Sequence, residues 1–135
     1  MKQFFRCKYN WQSVYFHFQK WCKNGSWQKV WDNLLIKNKH LLDLSSIQLD
    51  GTHTPTKRGG EAVAYQGRKK SKTSNMLILT DNQGIPLTCS DPVEGNHNDS
   101  FNLVPMVQKM MAGLESSEIR IDGLFLNADA GFGTE

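Results

Sequence analysis

The chain of 135 residues is long enough for one domain with a core of its own. Its composition, with 39% hydrophobic and 21% charged residues, excludes the disordered and fibrous classes, and no apolar run approaches the ~18 residues of a membrane span. The net charge of +3 is unevenly divided: residues 1–40 contain eight Lys or Arg and one acid, whereas residues 73–135 contain two and nine. This division predicts a polyanion-binding face beside a region that uses carboxylates, with a solvated basic surface as the alternative.

The cysteines and the first residues indicate a reducing compartment. Cys7, Cys22 and Cys89 are odd in number and form no CxxC pair, which argues against a disulfide framework and against a zinc site. The opening residues MKQFFRCKYNWQ lack the apolar core and the cleavage site of a secretory signal. We therefore expect a cytoplasmic location.

The amino-terminal part is predicted to form two helices. Apolar residues recur at spacings of three and four in NWQSVYFHFQKWCKNG and again after Ser26, the expected N-cap of the second helix. Asn24 and Gly25 supply the stop between the helices. Two interpretations stay open: a helix-turn-helix that presents its lysines to DNA, and a plain helical hairpin. In either case we expect the tryptophans to pack inward.

From Leu41 onwards the sequence predicts a sheet. LDLSSIQLD, NMLILTD and GIPLTCS are each typical of a strand, and the last two are expected to form a hairpin across residues 81–84. A final buried strand is predicted at residues 124–126, in GLFLNADAGF. The order strand, strand, strand, helix, strand indicates an α/β fold.

The single helix of this region is predicted in FNLVPMVQKMMAGL. It should begin near Leu103, because Pro105 is tolerated only in the first turn. Its apolar spacing predicts one buried face, formed by Val104, Val107, Met111 and Leu114.

Two predicted strands place an aspartate at or just beyond their ends, Asp50 after the first and Asp129 after the last. Ligand and catalytic sites of α/β sheets gather outside strand ends. Two carboxylates brought together there need a cation between them, and Mg²⁺ is typically held by one or two carboxylates and substrate phosphates. A capping or turn role is the alternative for each aspartate.

A glycine-rich basic segment follows the first strand, at residues 57–72. Its cations are proposed to contact DNA phosphates without reading bases, and the metal would separate Asp50 from those phosphates. They are Lys57, Arg58, Arg68, Lys69, Lys70 and Lys72.

Several long motifs carry a family resemblance. QLDGTHTPTKRGGEAVAYQGRKKSKTSN, EGNHNDSF and LFLNADAGF resemble insertion-sequence transposases with a DDE catalytic domain, and WQSVYFHFQKWCKNGSWQKVWDNLL resembles the segment that precedes that domain. The resemblance implies a helical, DNA-binding segment in residues 1–40. It also implies a ribonuclease-H-like mixed sheet in residues 41–135, incomplete at its carboxyl end.

The resemblance further implies a site and a chemistry. Asp50 would be the first catalytic acid, on the first strand, and Asp129 the second, on the fourth, in a motif similar to Asp-x-Gly-aromatic. Two Mg²⁺ or Mn²⁺ ions, held by three acids, would activate water to nick DNA, and the freed 3′-hydroxyl would attack a new phosphodiester. The implied partners are transposon ends, target DNA and a second copy in a synaptic complex, in the bacterial nucleoid and away from membranes. His53 and His97 are expected to be surface residues and are left out of the catalytic set, with the positioning of a phosphate or a water as the alternative role for each.

The chain departs from the family at the third acid, a glutamate on a later helix. Glu135 follows Asp129 too closely to fill that role, and Glu61 is expected to pair within the basic segment. The sequence therefore predicts a transposase fragment that is catalytically incomplete. The alternatives are a non-enzymatic DNA-binding regulator and an inert remnant of the parent mobile element.

Overall fold

The computed structural model describes residues 9–57, 60 and 62–133, and within them the chain forms three α-helices and a six-stranded mixed sheet. The helices are α1 (Trp11–Lys23), α2 (Ser26–Asn38) and α3 (Leu103–Ser116). The strands are β1 (Ile47–Pro55), β2 (Ala64–Gln66), β3 (Ser71–Asp81), β4 (Pro86–Cys89), β5 (Val93–Glu94) and β6 (Leu126–Ala128). Among the described residues, none of the helices has the length and apolar character that a membrane crossing needs.

Strand β3 is the longest, with 11 residues, and it organises the sheet. Along one edge it pairs antiparallel with β1, where Leu49 lies opposite Leu79. Along its other edge it pairs in turn with the short strands β2, β5 and β4. Strand β6 pairs in parallel with the far side of β1, which makes the sheet mixed. The predicted α/β class with a mixed sheet and the predicted hairpin across residues 81–84 are both confirmed.

One face of the sheet is packed and the other is only partly covered. Burial alternates along β3, because successive side chains of a strand point to opposite faces. Leu77 and Leu79 are buried against Met110 and Leu114 of α3, in a core that also takes in Leu35 of α2. The alternate residues of β3 are only half-buried. The partly covered face is therefore the one on which solvent and ligands can reach the sheet.

The tryptophans do not pack inward as expected. Helix α1 has no buried residue, and Trp11, Trp21 and Trp27 are all exposed. Only Trp31 is half-buried, and its Nε1 donates a hydrogen bond to the Leu87 carbonyl at 3.0 Å. The apolar spacing therefore predicted the positions of α1 and α2 correctly. It did not predict their packing, because of these two helices only α2 is packed against the core.

Helix α2 begins with Ser26 as its first residue rather than as its N-cap. Gly25 occupies the cap position with a φ of 71°, a left-handed conformation that glycine adopts without strain. The Asn24 side chain supports the turn by accepting a hydrogen bond from the Ser26 backbone N–H at 3.0 Å.

Two predictions in the last third of the chain were wrong in part. Helix α3 begins at Leu103 as expected, Leu114 is buried, and Val107 and Met111 pack against the core, but Val104 is 66% exposed and Met110 is buried although it was not predicted to be. The last strand lies two residues later than predicted, and all three of its residues are exposed rather than buried. Strand β6 is at an edge of the described sheet, so it gains no cover from a further strand.

Candidate metal and nucleic-acid site

Asp50 and Asp129 lie at corresponding positions next to the paired residues of two adjacent parallel strands. Strands β1 and β6 pair Leu49 with Ala128, and each aspartate is the residue that follows. Neighbouring strands are ~4.8 Å apart, so the two side chains leave the backbone within reach of one shared cation. Both are exposed. The structure thus brings together the two acids that the sequence singled out.

Asp50 projects from the partly covered face of the sheet. It lies opposite Ile78 in the β1–β3 register, whereas its neighbour Leu49 lies opposite the buried Leu79. Because side chains alternate along a strand, the Asp50 carboxylate points away from α3 and the core. The carboxylate is therefore open to solvent.

Each of the two carboxylates already accepts one hydrogen bond from the nearby backbone. Oδ1 of Asp50 accepts from the Gly51 N–H at 2.8 Å. Oδ1 of Asp129 accepts from the Gly131 N–H at 2.6 Å and so caps the short 3₁₀ helix Ala130–Phe132. The capping role left open by the sequence is thus real for Asp129. It is compatible with metal binding, since a carboxylate accepts through two oxygens.

The donor set of this pair suits a hard divalent cation. Mg²⁺ and Mn²⁺ prefer oxygen ligands, and one or two carboxylates with substrate phosphates are a common arrangement for Mg²⁺. In the part of the chain that the structure describes, no group of three His, Cys, Asp or Glu side chains is arranged to hold a metal ion. Glu94 is on β5, at the edge of β3 away from β1, while Glu61 and Glu135 lie outside the described residues.

Asp99 is the residue at this site that the sequence analysis missed. A Cβ added to Gly51 would lie 2.3 Å from the carboxyl carbon of Asp99, so the loop before α3 contacts β1 directly beside Asp50. The Asp99 Oδ1 also accepts a hydrogen bond from Asn75 Nδ2 at 2.8 Å. Since Gly51 is on the same face as Leu49, Asp99 and Asp50 are on opposite faces and cannot share a cation. A glycine inside a strand, as at Gly51, was the available signal of such a close approach.

The two histidines differ in their surroundings. His53 lies in β1 opposite Asn75 and is half-buried, so the expectation of a surface residue was wrong for it. Its Nε2 is buried without a hydrogen-bond partner among the described residues, as are Asn75 Oδ1 and Thr73 Oγ1. His97 stacks on Phe101 with ring centroids 3.6 Å apart.

The predicted basic loop contains a β-hairpin, which we call the basic hairpin: β2, the turn at residues 67–70 and the start of β3. Short strands such as AYQ carry too little pattern to be predicted. The turn exposes Arg68, Lys69 and Lys70, and Lys72 is exposed on β3. Lys57 is exposed after β1, and Arg58 lies outside the described residues.

The basic hairpin is tied to the strand that carries Asp50. The Lys69 backbone N–H donates to Gln66 Oε1 at 2.7 Å, and its Nζ donates to the His53 carbonyl at 3.3 Å. His53 is three residues beyond Asp50, about 10 Å along β1. The cations of the turn and the two carboxylates are therefore connected through one strand.

Comparison with known proteins does not identify a family for the chain. The chain matches no protein-family model, and neither a curated protein nor a solved structure is significantly similar to it. The resemblance to transposases rests on the sequence motifs quoted above.

Proposed function

We propose that the chain belongs to the DDE transposases that carry out DNA transposition, with Asp50 and Asp129 as two of their three metal-binding acids. The observation that carries the proposal is the parallel pairing of β1 with β6, which puts the two acids side by side. These acids lie 79 positions apart in the sequence, and neither would be a neighbour of the other without that pairing. Two aspartates that each served only as a turn or cap residue would not need to lie side by side.

The proposed fold is ribonuclease-H-like. Supporting it, the strands β1, β3 and β4 are successively antiparallel, α3 follows, and β6 returns in parallel beside β1. If the two short strands β2 and β5 are set aside, β6 is the fourth strand, where the resemblance expects the second acid. Residues 41–135 would form this domain, and residues 1–40 the DNA-binding segment before it.

The proposed reaction is an in-line displacement at a DNA phosphate. In strand cleavage, the oxygen of water forms the new bond to phosphorus and loses a proton, while the bond to the 3′-oxygen breaks and that oxygen gains one. In strand transfer, the 3′-hydroxyl takes the place of water. Bound Mg²⁺ or Mn²⁺ supplies positive charge at both the attacking and the leaving oxygen.

The residues of the chain bind and orient in this scheme. Asp50 and Asp129 would hold the ions at the edge of the partly covered face. The basic hairpin would neutralise phosphates on one side of the scissile bond, since Arg68, Lys69 and Lys70 are exposed and Lys69 is fixed against β1. Transposon ends and target DNA are the proposed partners, with a second copy of the chain in the synaptic complex.

Binding to a short DNA duplex, measured with and without Mg²⁺ at constant ionic strength, tests the proposal. Mg²⁺ should strengthen binding by the wild-type chain, because an ion held by Asp50 and Asp129 would supply positive charge between the carboxylates and the DNA. Asp50→Asn and Asp129→Asn should abolish that Mg²⁺ effect and keep the binding that does not need Mg²⁺. Asp122→Asn, at an exposed turn, is the matched control and should behave as wild type.

Two other outcomes would contradict the proposal. Duplex binding that ignores Mg²⁺ in every variant would instead indicate the non-enzymatic DNA-binding regulator. An absence of duplex binding would indicate the inert remnant. A parallel nicking assay with Mg²⁺ or Mn²⁺ should show no cleavage by residues 1–135, because the described residues supply two of the three acids of the family. Cleavage that Asp50→Asn abolishes would show that a further residue completes the site.

A further inference from the structure

The two amino-terminal helices present aromatic side chains to solvent. We call α1, α2 and the turn between them the helical hairpin. Its rings stay exposed even though both helices are formed, and α1 buries none of its residues. The exposed rings are Trp11, Tyr15, Phe16, Phe18, Trp21 and Trp27.

Several of these rings contact one another. Trp27 lies 5.7 Å from Trp21 and 6.0 Å from Phe18, measured between ring centroids. His17 continues the row, 6.1 Å from Trp21 and 5.6 Å from Phe16. Five rings are therefore linked in a row that crosses from α1 to α2, namely those of Phe16, His17, Trp21, Trp27 and Phe18.

The helical hairpin is also strongly basic, and its Phe16 ring lies beside two of the lysines. Asp32 is the one acidic residue of the two helices, and its Oδ1 already accepts hydrogen bonds from Gln28 and Ser117. Phe16, Lys20 and Lys23 line a common groove of about 340 Å³ near the end of α1. The exposed lysines of the hairpin and its carboxyl end are Lys20, Lys23, Lys29, Lys37 and Lys39.

We propose that the helical hairpin binds an unpaired nucleic-acid strand, with bases stacked on the exposed rings and phosphates beside the lysines. Aromatic rings and a basic groove are the two elements that bind single strands without sequence preference, since every base has a face to stack. The bases of a duplex are stacked on each other and do not offer those faces. This inference rests on the proposed function, in which residues 1–40 are the DNA-binding segment, and adds that the strand bound there is unpaired, whereas the basic hairpin contacts duplex phosphates.

Two other occupants fit the surface less well. A second copy would bring two sets of lysines together with one acid in each pair of helices, so like charges would oppose the contact. A helix-turn-helix that reads a duplex joins its helices through three or four residues, whereas only Asn24 and Gly25 separate α1 from α2. The surface that it would present is also rich in rings rather than in polar side chains.

Fluorescence anisotropy of labelled oligothymidylate, titrated with the full chain, tests the inference. Phe16→Ala removes a ring that is 63% exposed and should weaken binding by about fivefold to a hundredfold, the range for one stacked base. Lys20→Gln with Lys23→Gln should lower the salt dependence of log affinity by about 1.4, or 0.7 for each phosphate contact on a single strand. Circular dichroism should show the helix content unchanged in both variants.

The controls lie outside the helical hairpin. Phe125→Ala removes a ring that is 74% exposed, and Lys109→Gln removes a lysine of α3 that pairs with Asp91. Both should bind oligothymidylate as the wild type does. Affinity that is equal in Phe16→Ala and in the wild type would overturn the inference. It would also be overturned if Phe16→Ala disrupted self-association in sedimentation equilibrium and left the oligothymidylate affinity unchanged.

A combined variant separates this inference from the proposed function. With Arg68, Lys69 and Lys70 all replaced by Gln, duplex affinity should fall, and the effect of Phe16→Ala on oligothymidylate should keep its full size. Loss of the Phe16→Ala effect in that background would mean that the helical hairpin is not an independent site, and would overturn the inference. Whether Mg²⁺ strengthens duplex binding is the test of the proposed function, and it is independent of both outcomes for oligothymidylate.

Discussion

The Asp99 carboxylate lies directly over Gly51, so close that a Cβ at that glycine would be 2.3 Å from Oδ1. The contact joins the loop before α3 to β1, at the residue that follows Asp50. A hydrogen bond from Asn75 joins the same carboxylate to β3. Three separate parts of the chain thus meet behind the proposed metal site, which fixes the strand from which Asp50 projects.

Gly51→Ala should therefore destabilise the protein. The added methyl group cannot be accommodated unless Asp99 moves, which strains the loop or breaks its bond to Asn75. We expect a loss of about 1–3 kcal/mol in the free energy of unfolding, measured by urea denaturation. Gly67→Ala is the matched control, because a Cβ there meets nothing within 4 Å, and it should change the stability by less than about 0.5 kcal/mol. Equal stabilities for the two variants would contradict the contact.

Asp81 should be a strong determinant of stability through its hydrogen bonds alone. It is fully buried, and its carboxylate accepts from the backbone N–H groups of Asp43, Gln83 and Ile85 at 3.0, 3.0 and 2.7 Å. Asp81→Asn replaces one acceptor oxygen by a donor and should cost about 1–3 kcal/mol in thermal or urea unfolding. Asp81→Ala should cost more, since all three N–H groups lose their partner. A cost of Asp81→Asn no greater than that of the exposed control Asp122→Asn would show that these bonds do not form.

Asp43 should contribute a small pH dependence at acid pH. Hydrogen bonds from the Asn82 side chain and from Ser45 hold the pKa of the Asp43 carboxyl below its ordinary value. A carboxyl with a lowered pKa in the folded state stabilises the fold above its ordinary pKa, and this contribution is lost as the pH falls through the folded-state pKa. In a carboxyl NMR titration, Asn82→Ala should return the pKa toward the ordinary value, and the distant exposed variant Asn96→Ala should not. An unshifted pKa in the wild type would contradict the hydrogen bonds.

The basic hairpin should determine the salt dependence of duplex binding. Each phosphate contact on B-form DNA contributes about 0.9 to the slope of log affinity against log salt. Replacing Arg68, Lys69 and Lys70 by Gln should therefore flatten the slope by about two to three units. Lys109→Gln, which removes a cation already paired with Asp91, should leave it unchanged. A slope that does not change in the triple variant would mean that the basic hairpin is a solvated surface.

The elements of this fold were predictable wherever the signal was local. Apolar periodicity and the turn residues located α1, α2, α3 and the hairpin of β3 and β4, because side-chain spacing and turn chemistry act over a few residues. Burial was not predictable in the same way. The spacing of Trp11 and Trp21 is that of a buried helical face, but burial needs a partner surface, and of the two amino-terminal helices only α2 is packed against the core.

The candidate site also combines features that a local pattern predicts with features that depend on distant parts of the chain. The prediction that Asp50 ends its strand was wrong, because β1 continues to Pro55 and Asp50 is its fourth residue, whereas Asp129 does follow β6 directly. The alignment of the two acids depends on the register of β6 against β1, which no local pattern specifies. The contact of Asp99 with Gly51 is equally non-local. A glycine inside a strand indicated a close approach without indicating which residue would make it.

The central claim is that Asp50 and Asp129 together bind a divalent ion. Electron paramagnetic resonance measures it directly, since the signal of free Mn²⁺ falls as the ion binds to the chain. We expect weak binding by the wild type and by Asp122→Asn, a loss of at least about tenfold in affinity for either Asp50→Asn or Asp129→Asn, and no further loss in the double variant, because the two carboxylates act as one site. Mn²⁺ affinities of Asp50→Asn and Asp129→Asn equal to that of the wild type would contradict the account.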